Sequence, residues 1–201
     1  MRLYRPHTPS DAELAALALA DESTYRFPSF STNDAITLGL SLRKRFRASS
    51  RHQKHGRCLV LAIQTAAGAP LFACAVGDGT SGEDWAVLEG AIAVVRRTGH
   101  SSFYVEKGLI AGRAMREVEK EKEKRIYGGA FPIYLENAPC CPIAVVGCYS
   151  GSSDEDHRMV VTTVRDYIRK MHEDTAPALS DMPASPRPPR DSQVRRLWGC
   201  R

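Results

Sequence analysis

A histidine stands beside two hydroxyl side chains in a short polar segment, and this grouping could carry chemistry. His100 is followed by Ser101, Ser102 and Phe103. An imidazole next to hydroxyls can shuttle protons or bind a ligand, because histidine titrates near neutral pH. The alternative is structural, since the segment follows an apolar helical pattern and these side chains would then cap the helix and fix the turn.

Paired glycines precede a predicted strand. Gly128 and Gly129 stand before Ala130 and Phe131, so the backbone there can approach a ligand closely and present amide donors. Phosphate-binding glycine motifs open a helix instead, and neither of the two common ones occurs in the sequence. The alternative is a tight turn or bulge that needs a positive φ.

A carboxylate and an imidazole fall in the first turn of the last predicted helix. The helix dipole favours the charge of Asp156 there and disfavours a protonated His157, which we expect to be neutral. A neutral imidazole oriented by a carboxylate is typical of metal and haem ligands. The alternative is a surface helix cap. We take His100, Asp156 and His157 as candidate catalytic residues.

The cysteines and the known motifs exclude several kinds of site. Six cysteines in a 201-residue chain without a signal peptide are expected to be thiols. Cys58 and Cys74 lie on adjacent strands but out of register with each other. Cys140 and Cys141 are adjacent, which rules out the C-x-x-C spacing of a structural zinc site, and we predict no metal centre. No serine-hydrolase or zinc-protease motif is present, so the residues name no reaction.

Charge and hydropathy indicate which classes of partner, nucleic acid or membrane, the protein could bind. The formal net charge is +5, from 28 Lys and Arg against 23 Asp and Glu, but residues 175–201 hold five Arg and two Asp and leave only +2 for the other 174 residues. Such a weakly basic body does not indicate a nucleic-acid binder. No apolar run approaches a membrane span, and we expect a cytoplasmic protein without a membrane partner.

Hydrophobic periodicity predicts the elements that must position these side chains. Apolar faces of helical period and short apolar runs alternate along the chain. They predict a helix near 32–47, a hairpin of two buried strands at 58–64 and 71–76, a helix at 83–97, two strands at 130–135 and 143–149, and a helix from 153. The fold class is α+β, a single domain in which helices cover an antiparallel sheet.

Two segments are predicted to lie outside this core. Residues 113–125 are rich in Glu, Lys and Arg and predict an exposed helix or mobile arm. Residues 175–201 hold five of the twelve prolines and few large apolar side chains, so they are predicted to be a disordered tail. The chain divides into an N-terminal extension, 1–29, a domain, 30–174, and this tail.

The clusters taken together resemble the GlcG/HbpS-like family, which includes the C-terminal domain of PduO-type proteins and bacterial and fungal proteins described as haem-degrading. The resemblance covers roughly residues 30–172. The matching positions are Asp84-Trp85, Gly99 to Phe103, Gly128 to Ile133, Gly147, Ser150-Gly151, Asp156-His157 and Val160-Val161.

This resemblance implies an α/β domain that assembles into dimers or larger rings, with haem or corrinoid bound in some relatives. Residue by residue, it implies a ligand side formed by His100, Ser101, Ser102, Phe103, Gly128, Gly129, Phe131, Asp156 and His157. Glu89 stands where relatives usually have Lys, which removes a cation able to pair a propionate. The helix from Trp85 to His100 is about two residues longer, and Arg97 and Thr98 replace the usual aromatic.

Three functions remain open at this point. The first is a homo-oligomer that binds or degrades haem or a similar planar ligand, with His100 or His157 as axial ligand. The second is an enzyme that acts on a small organic substrate by proton transfer from the same side chains. The third is an adaptor that uses residues 113–125 and the tail residues Leu197 and Trp198. For the first two we expect His100 or His157 to share a cleft with Gly128 or Gly129.

Overall fold

A four-stranded antiparallel sheet organises the computed structural model, which describes residues 8–114 and 126–175. The strands β1 (Leu59–Thr65), β2 (Pro70–Val76), β3 (Ala130–Ile133) and β4 (Ala144–Tyr149) lie in the order β2-β1-β4-β3. Every neighbouring pair is antiparallel. The predicted α+β class is confirmed.

Helices cover both faces of the sheet. In chain order they are α1 (Asp11–Thr24), α2 (Thr32–Ala48), α3 (Ser50–His55), α4 (Gly82–Thr98), α5 (Ser102–Ala114) and α6 (Ser153–Thr175). Alternate residues of β1 point to opposite faces. Leu61 and Ile63 join the core formed with α2 and α6, whereas Val60 and Ala62 join the smaller core formed with α4.

Local sequence signals fix where the helices begin and end. Ser31 caps α2 and Ser81 caps α4, each in a capping box with the aspartate three residues later. The helix α4 ends at Gly99, whose φ of 77° is left-handed and favours glycine. These boundaries agree with the predicted helices to within a few residues.

Three helices were not predicted. The segment of α1 alternates Ala and Leu without a single apolar face, and α5 contains Gly108 within a mixed apolar and polar segment. Their pairing is tertiary, because α1 packs on α5. Residues before position 30 also supply the fully buried Phe27 to the main core. The third unpredicted helix is the short α3.

The prediction of two buried hairpin strands is wrong for β2. The strand lies at the edge of the sheet, and only Val76 is buried. An apolar run does not distinguish a central strand from an edge strand. Most of the predicted arm 113–125 and nearly all of the tail 175–201 lie outside the described residues. No helix in the described ranges is long and apolar enough to cross a bilayer.

Two helical glycines provide a matched test of how closely α2 packs on the sheet. A Cβ at Gly39 would lie 2.4 Å from the Phe72 ring, whereas one at Gly90 in α4 would meet open space. We expect Gly39→Ala to lower the free energy of unfolding by about 1–3 kcal/mol through overpacking. The control Gly90→Ala should raise it by up to about 1 kcal/mol. Urea denaturation measures both, and equal effects would contradict the proposed contact.

Candidate functional site

The two serines after His100 accept hydrogen bonds from backbone N–H groups through their hydroxyls. Ser101 caps α5, because its Oγ accepts from the N–H of Tyr104 at 3.2 Å. The Oγ of Ser102 accepts from the N–H groups of Gly129 and Ala130, both at 3.0 Å, and both serines are fully buried. The hydroxyl of Ser102 therefore ties the start of α5 to the start of β3.

The paired glycines are required by close packing. A Cβ at Gly129 would lie 2.1 Å from the carbonyl oxygen of Cys148, and one at Gly128 would lie 2.5 Å from Cδ2 of Phe103. Neither glycine has a positive φ, so the alternative of a positive-φ turn is wrong. The N–H of Gly128 donates to Ser153 Oγ at 3.0 Å, and that hydroxyl donates to Glu106 at 3.1 Å.

Asp156 anchors the start of α6 to the end of β4. Its carboxylate accepts from the N–H of Ser150 at 2.7 Å and from the Ser150 hydroxyl at 2.5 Å. The side chain is fully buried. These two hydrogen bonds hold the start of α6 against the end of β4.

His157 lies in an aromatic stack inside the protein. Its ring stacks on Phe103 with centroids 4.3 Å apart and planes 10° apart, and the Phe131 ring lies at 6.3 Å. Burial lowers the pKa of His157 to about 4, because desolvation penalises the charged imidazolium. Its Nδ1 is buried and has no hydrogen-bond partner. The expectation of a neutral imidazole agrees with this lowered pKa.

His100 makes different contacts, with a carboxylate from α1. Its Nδ1 lies 2.8 Å from Oε2 of Glu22, and the other oxygen of Glu22 accepts from the N–H of Ser101 at 2.7 Å. Glu22 is 4% exposed, whereas the side chain of His100 is 43% exposed. The ring of Tyr104 lies 4.9 Å from the imidazole. Because Nδ1 is engaged, Nε2 is the nitrogen left for a ligand.

Two further side chains lie near this pair. The hydroxyl of Tyr134 donates to the carbonyl of Gly99 at 2.6 Å. Burial raises the pKa of Tyr134, and the nearby charges of Glu22 and Cys141 add to the rise while Arg26 opposes it. The Nε of Arg26 is buried without a hydrogen-bond partner. Glu22, Arg26 and Tyr134 were not identified from the sequence, because no spacing links them to His100.

The predicted site residues thus fall into two groups. Phe103, Gly128, Gly129, Phe131, Asp156 and His157 form a buried cluster around the first turn of α6, to which Ser102 is hydrogen-bonded. The part-exposed His100 and the buried backbone of Ser101 instead contact the buried carboxylate of Glu22. Glu89 stands at the position where relatives usually have Lys. Its carboxylate accepts a hydrogen bond from the side-chain amide of Gln64.

A groove near these elements is lined by other residues. A groove of about 360 Å³ lies where β1 begins and β4 ends. Neither His100 nor His157 lines it. Within the described residues, no group of three or more His, Cys, Asp or Glu side chains is arranged to hold a metal ion. The residues that line the groove are Arg57, Cys58, Leu59, Val60, Gly79, Thr80, Asp84, Tyr149, Ser150 and Gly151.

Comparison with known proteins identifies the family. The family model described as haem degrading protein HbpS-like matches residues 30–165. The chain belongs to the HbpS-like family. The resemblance identified from the sequence is confirmed, and it places the chain in a haem-related ligand-binding family. Glu22 and Arg26 lie on the N-terminal side of the matched range.

Solved structures share the HbpS-like fold at low identity. The Ybr137w protein has a TM-score of 0.64 at 21% identity, over 79% of this chain and 90% of that one. The Klebsiella pneumoniae protein ORFY has a TM-score of 0.50 at 13% identity, over 70% and 90%. A PduOC–haem complex has a TM-score of 0.50 at 14% identity, over 68% and 94%.

The buried imidazole predicts a pH dependence of stability. The pKa of His157 is lowered from 6.5 to about 4 in the folded protein, so between these pH values the unfolded chain binds a proton that the folded protein does not. The contribution of His157 to the free energy of unfolding is therefore fully present above pH 6.5, and about 3 kcal/mol of it is lost as the pH drops towards 4.

The variant His157→Phe keeps the stack with Phe103 and removes the titration. We expect its free energy of unfolding, from urea denaturation at several pH values, to lack that fall. The exposed His172 provides a control, and His172→Gln should keep the wild-type pH dependence. The assignment fails if wild type and His157→Phe lose stability in parallel between pH 6.5 and 4.

Proposed function

We propose that this protein binds a planar, haem-type ligand and that His100 is its axial ligand. The observation that carries the proposal is the 2.8 Å contact between His100 Nδ1 and the buried carboxylate of Glu22. Histidines that ligate metals commonly donate one ring N–H to a carboxylate, which fixes the tautomer and presents the other nitrogen. The exposed ring of His100 supplies that second nitrogen, Nε2.

The side chains around His100 fit a haem-type ligand. Tyr104 offers an aromatic surface beside the imidazole. Arg26, with a buried and unpaired Nε, supplies a cation able to pair a carboxylate of the ligand. When bound, haem supplies iron for ligand binding and redox chemistry, and the protein would orient the group and exclude one ring nitrogen of His100 from solvent.

Proton-transfer catalysis is less well supported by the same geometry. A histidine that activates a protein hydroxyl must lie within hydrogen-bond reach of a hydroxyl that is free to react. The hydroxyl of Ser101 caps α5, and that of Ser102 accepts two backbone N–H groups in the core. The adaptor hypothesis depends on residues 113–125 and on Leu197 and Trp198, and all of these except residues 113 and 114 lie outside the described residues.

Haem titration tests the proposed ligand. Adding haem to the purified wild-type protein should give a shifted Soret band. We expect His100→Ala to weaken binding at least tenfold, because it removes the axial nitrogen. Glu22→Gln keeps a hydrogen-bond acceptor but not the charge and should weaken binding by about tenfold.

The exposed His172 provides the control for this titration, and His172→Ala should bind like wild type. Circular dichroism of each variant verifies folding, since Glu22 is buried. Unchanged affinity in a folded His100→Ala protein would exclude this site.

We further propose that the protein is a homo-oligomer. Large apolar side chains remain exposed on α1, α2 and α5, including Leu17 at 59% and Leu40 at 48%, and such exposure on several helices favours an interface. Multi-angle light scattering of the full chain at micromolar concentration should give a multiple of the monomer mass. We expect Leu17→Glu or Leu40→Glu to lower that mass, and a monomeric wild type would refute the proposal.

A further inference from the structure

A pair of exposed thiols lies in the loop between β3 and β4. Cys140 and Cys141 are both exposed, and their Sγ atoms are 3.8 Å apart. The other cysteines of the described residues are half-buried or buried: Cys58, Cys74 and Cys148. The exposed pair thus differs from the rest in both access and spacing.

The loop holds the pair at a defined position. Its ends are fixed by the N–H of Ala138 donating to Leu135 and the N–H of Ile143 donating to Ile133, at 3.3 and 2.9 Å. Pro139 and Pro142 flank the thiols, and proline fixes φ. A pair held in this way loses little conformational entropy when both sulfurs bind the same centre.

The spacing of the two sulfurs suits a single bridging atom better than a direct bond. A centre with bonds of about 2.3 Å to each sulfur and an angle of roughly 95–110° separates the sulfurs by about 3.4–3.8 Å. Adjacent Cα atoms across a trans peptide are only about 3.8 Å apart, below the roughly 4.4–6.8 Å usual for a disulfide. A disulfide between these residues would therefore be strained, whereas a bridged pair would not.

We propose that Cys140 and Cys141 form a surface dithiol that captures one thiophilic centre through both sulfurs. Among the described residues, no third His, Cys, Asp or Glu side chain forms a metal-binding group with the pair. This favours a centre that needs only two protein ligands. Trivalent organic arsenic meets that requirement. An arsine oxide reacts with two thiols to form two As–S bonds, the two thiol protons leave with the oxide oxygen as water, and arsenic stays trivalent.

The pair lies within electrostatic range of Tyr134, a side chain near the candidate haem site. The thiols of Cys141 and Cys140 contribute to the raised pKa of Tyr134, whose hydroxyl bonds Gly99 directly before His100. Cys140 also raises the pKa of Cys141, first through their hydrogen bond and then because a second thiolate would form beside the first. The reaction should accordingly become faster as the pH rises.

Phenylarsine oxide is the probe that tests the dithiol. Reduced full-length protein is treated with one equivalent, excess monothiol is added to remove adducts held by one sulfur, and intact mass is measured. We expect one phenylarsenic adduct on wild type. Cys140→Ser and Cys141→Ser should each reduce the retained adduct at least tenfold, because each keeps a single thiol of the pair.

Two controls make the result specific to this loop. Cys58→Ser keeps an acceptor for the N–H of Gly79, which Cys58 Sγ binds at 3.3 Å, and should retain the full adduct. Cys200, the sixth cysteine of the sequence, lies outside the described residues, and Cys200→Ser should also retain the full adduct. The proposal is overturned if wild type retains no adduct, if either single variant of the pair retains it, or if Cys58→Ser or Cys200→Ser loses it while circular dichroism shows a folded protein.

Discussion

The hydrogen bonds accepted by Ser102 are the constraint on which the arrangement of the site depends. One buried hydroxyl satisfies two backbone N–H groups at the start of β3, and unsatisfied buried donors of this kind cost about 1–3 kcal/mol each. Because Ser102 is the first residue of α5, these bonds set where α5 begins relative to the sheet. His100 and Phe103, on either side of it, are positioned by the same contact.

The polar and aromatic side chains around the start of α5 form two sets, one buried in the core and one close to the surface. On the inner side, Phe103 stacks on His157, and Asp156 ties α6 to β4. On the outer side, His100 is exposed and oriented by Glu22. The inner imidazole lies against aromatic rings and is held neutral by burial, whereas the outer one combines access with an orienting carboxylate. This difference is why the proposed ligand role goes to His100.

The N-terminal helix connects fold and proposed function in this member of the HbpS-like family. Glu22 lies on α1, outside residues 30–165 that match the family model, yet it is buried against the segment that family resemblance selects. A carboxylate supplied from outside the matched range can orient a ligand on the family fold without any change in the sheet. Glu89, which stands where relatives usually have Lys, accepts a hydrogen bond from the Gln64 amide.

The sequence by itself determined the elements whose signals are local. Capping residues such as Ser31 and Ser81, the left-handed Gly99 and the periodicity of α2, α4 and α6 depend only on neighbours in the chain, and so does the hairpin of β1 and β2. The segments of the candidate site were also recognisable, through their resemblance to a family.

Tertiary structure decided the roles of the residues within these segments. The partner of His100 is 78 residues away, and the edge position of β2 and the helices α1 and α5 follow from packing between distant segments. Burial and hydrogen-bond partners separate a core imidazole such as His157 from an accessible one such as His100, and neither property is encoded in the residues immediately beside them.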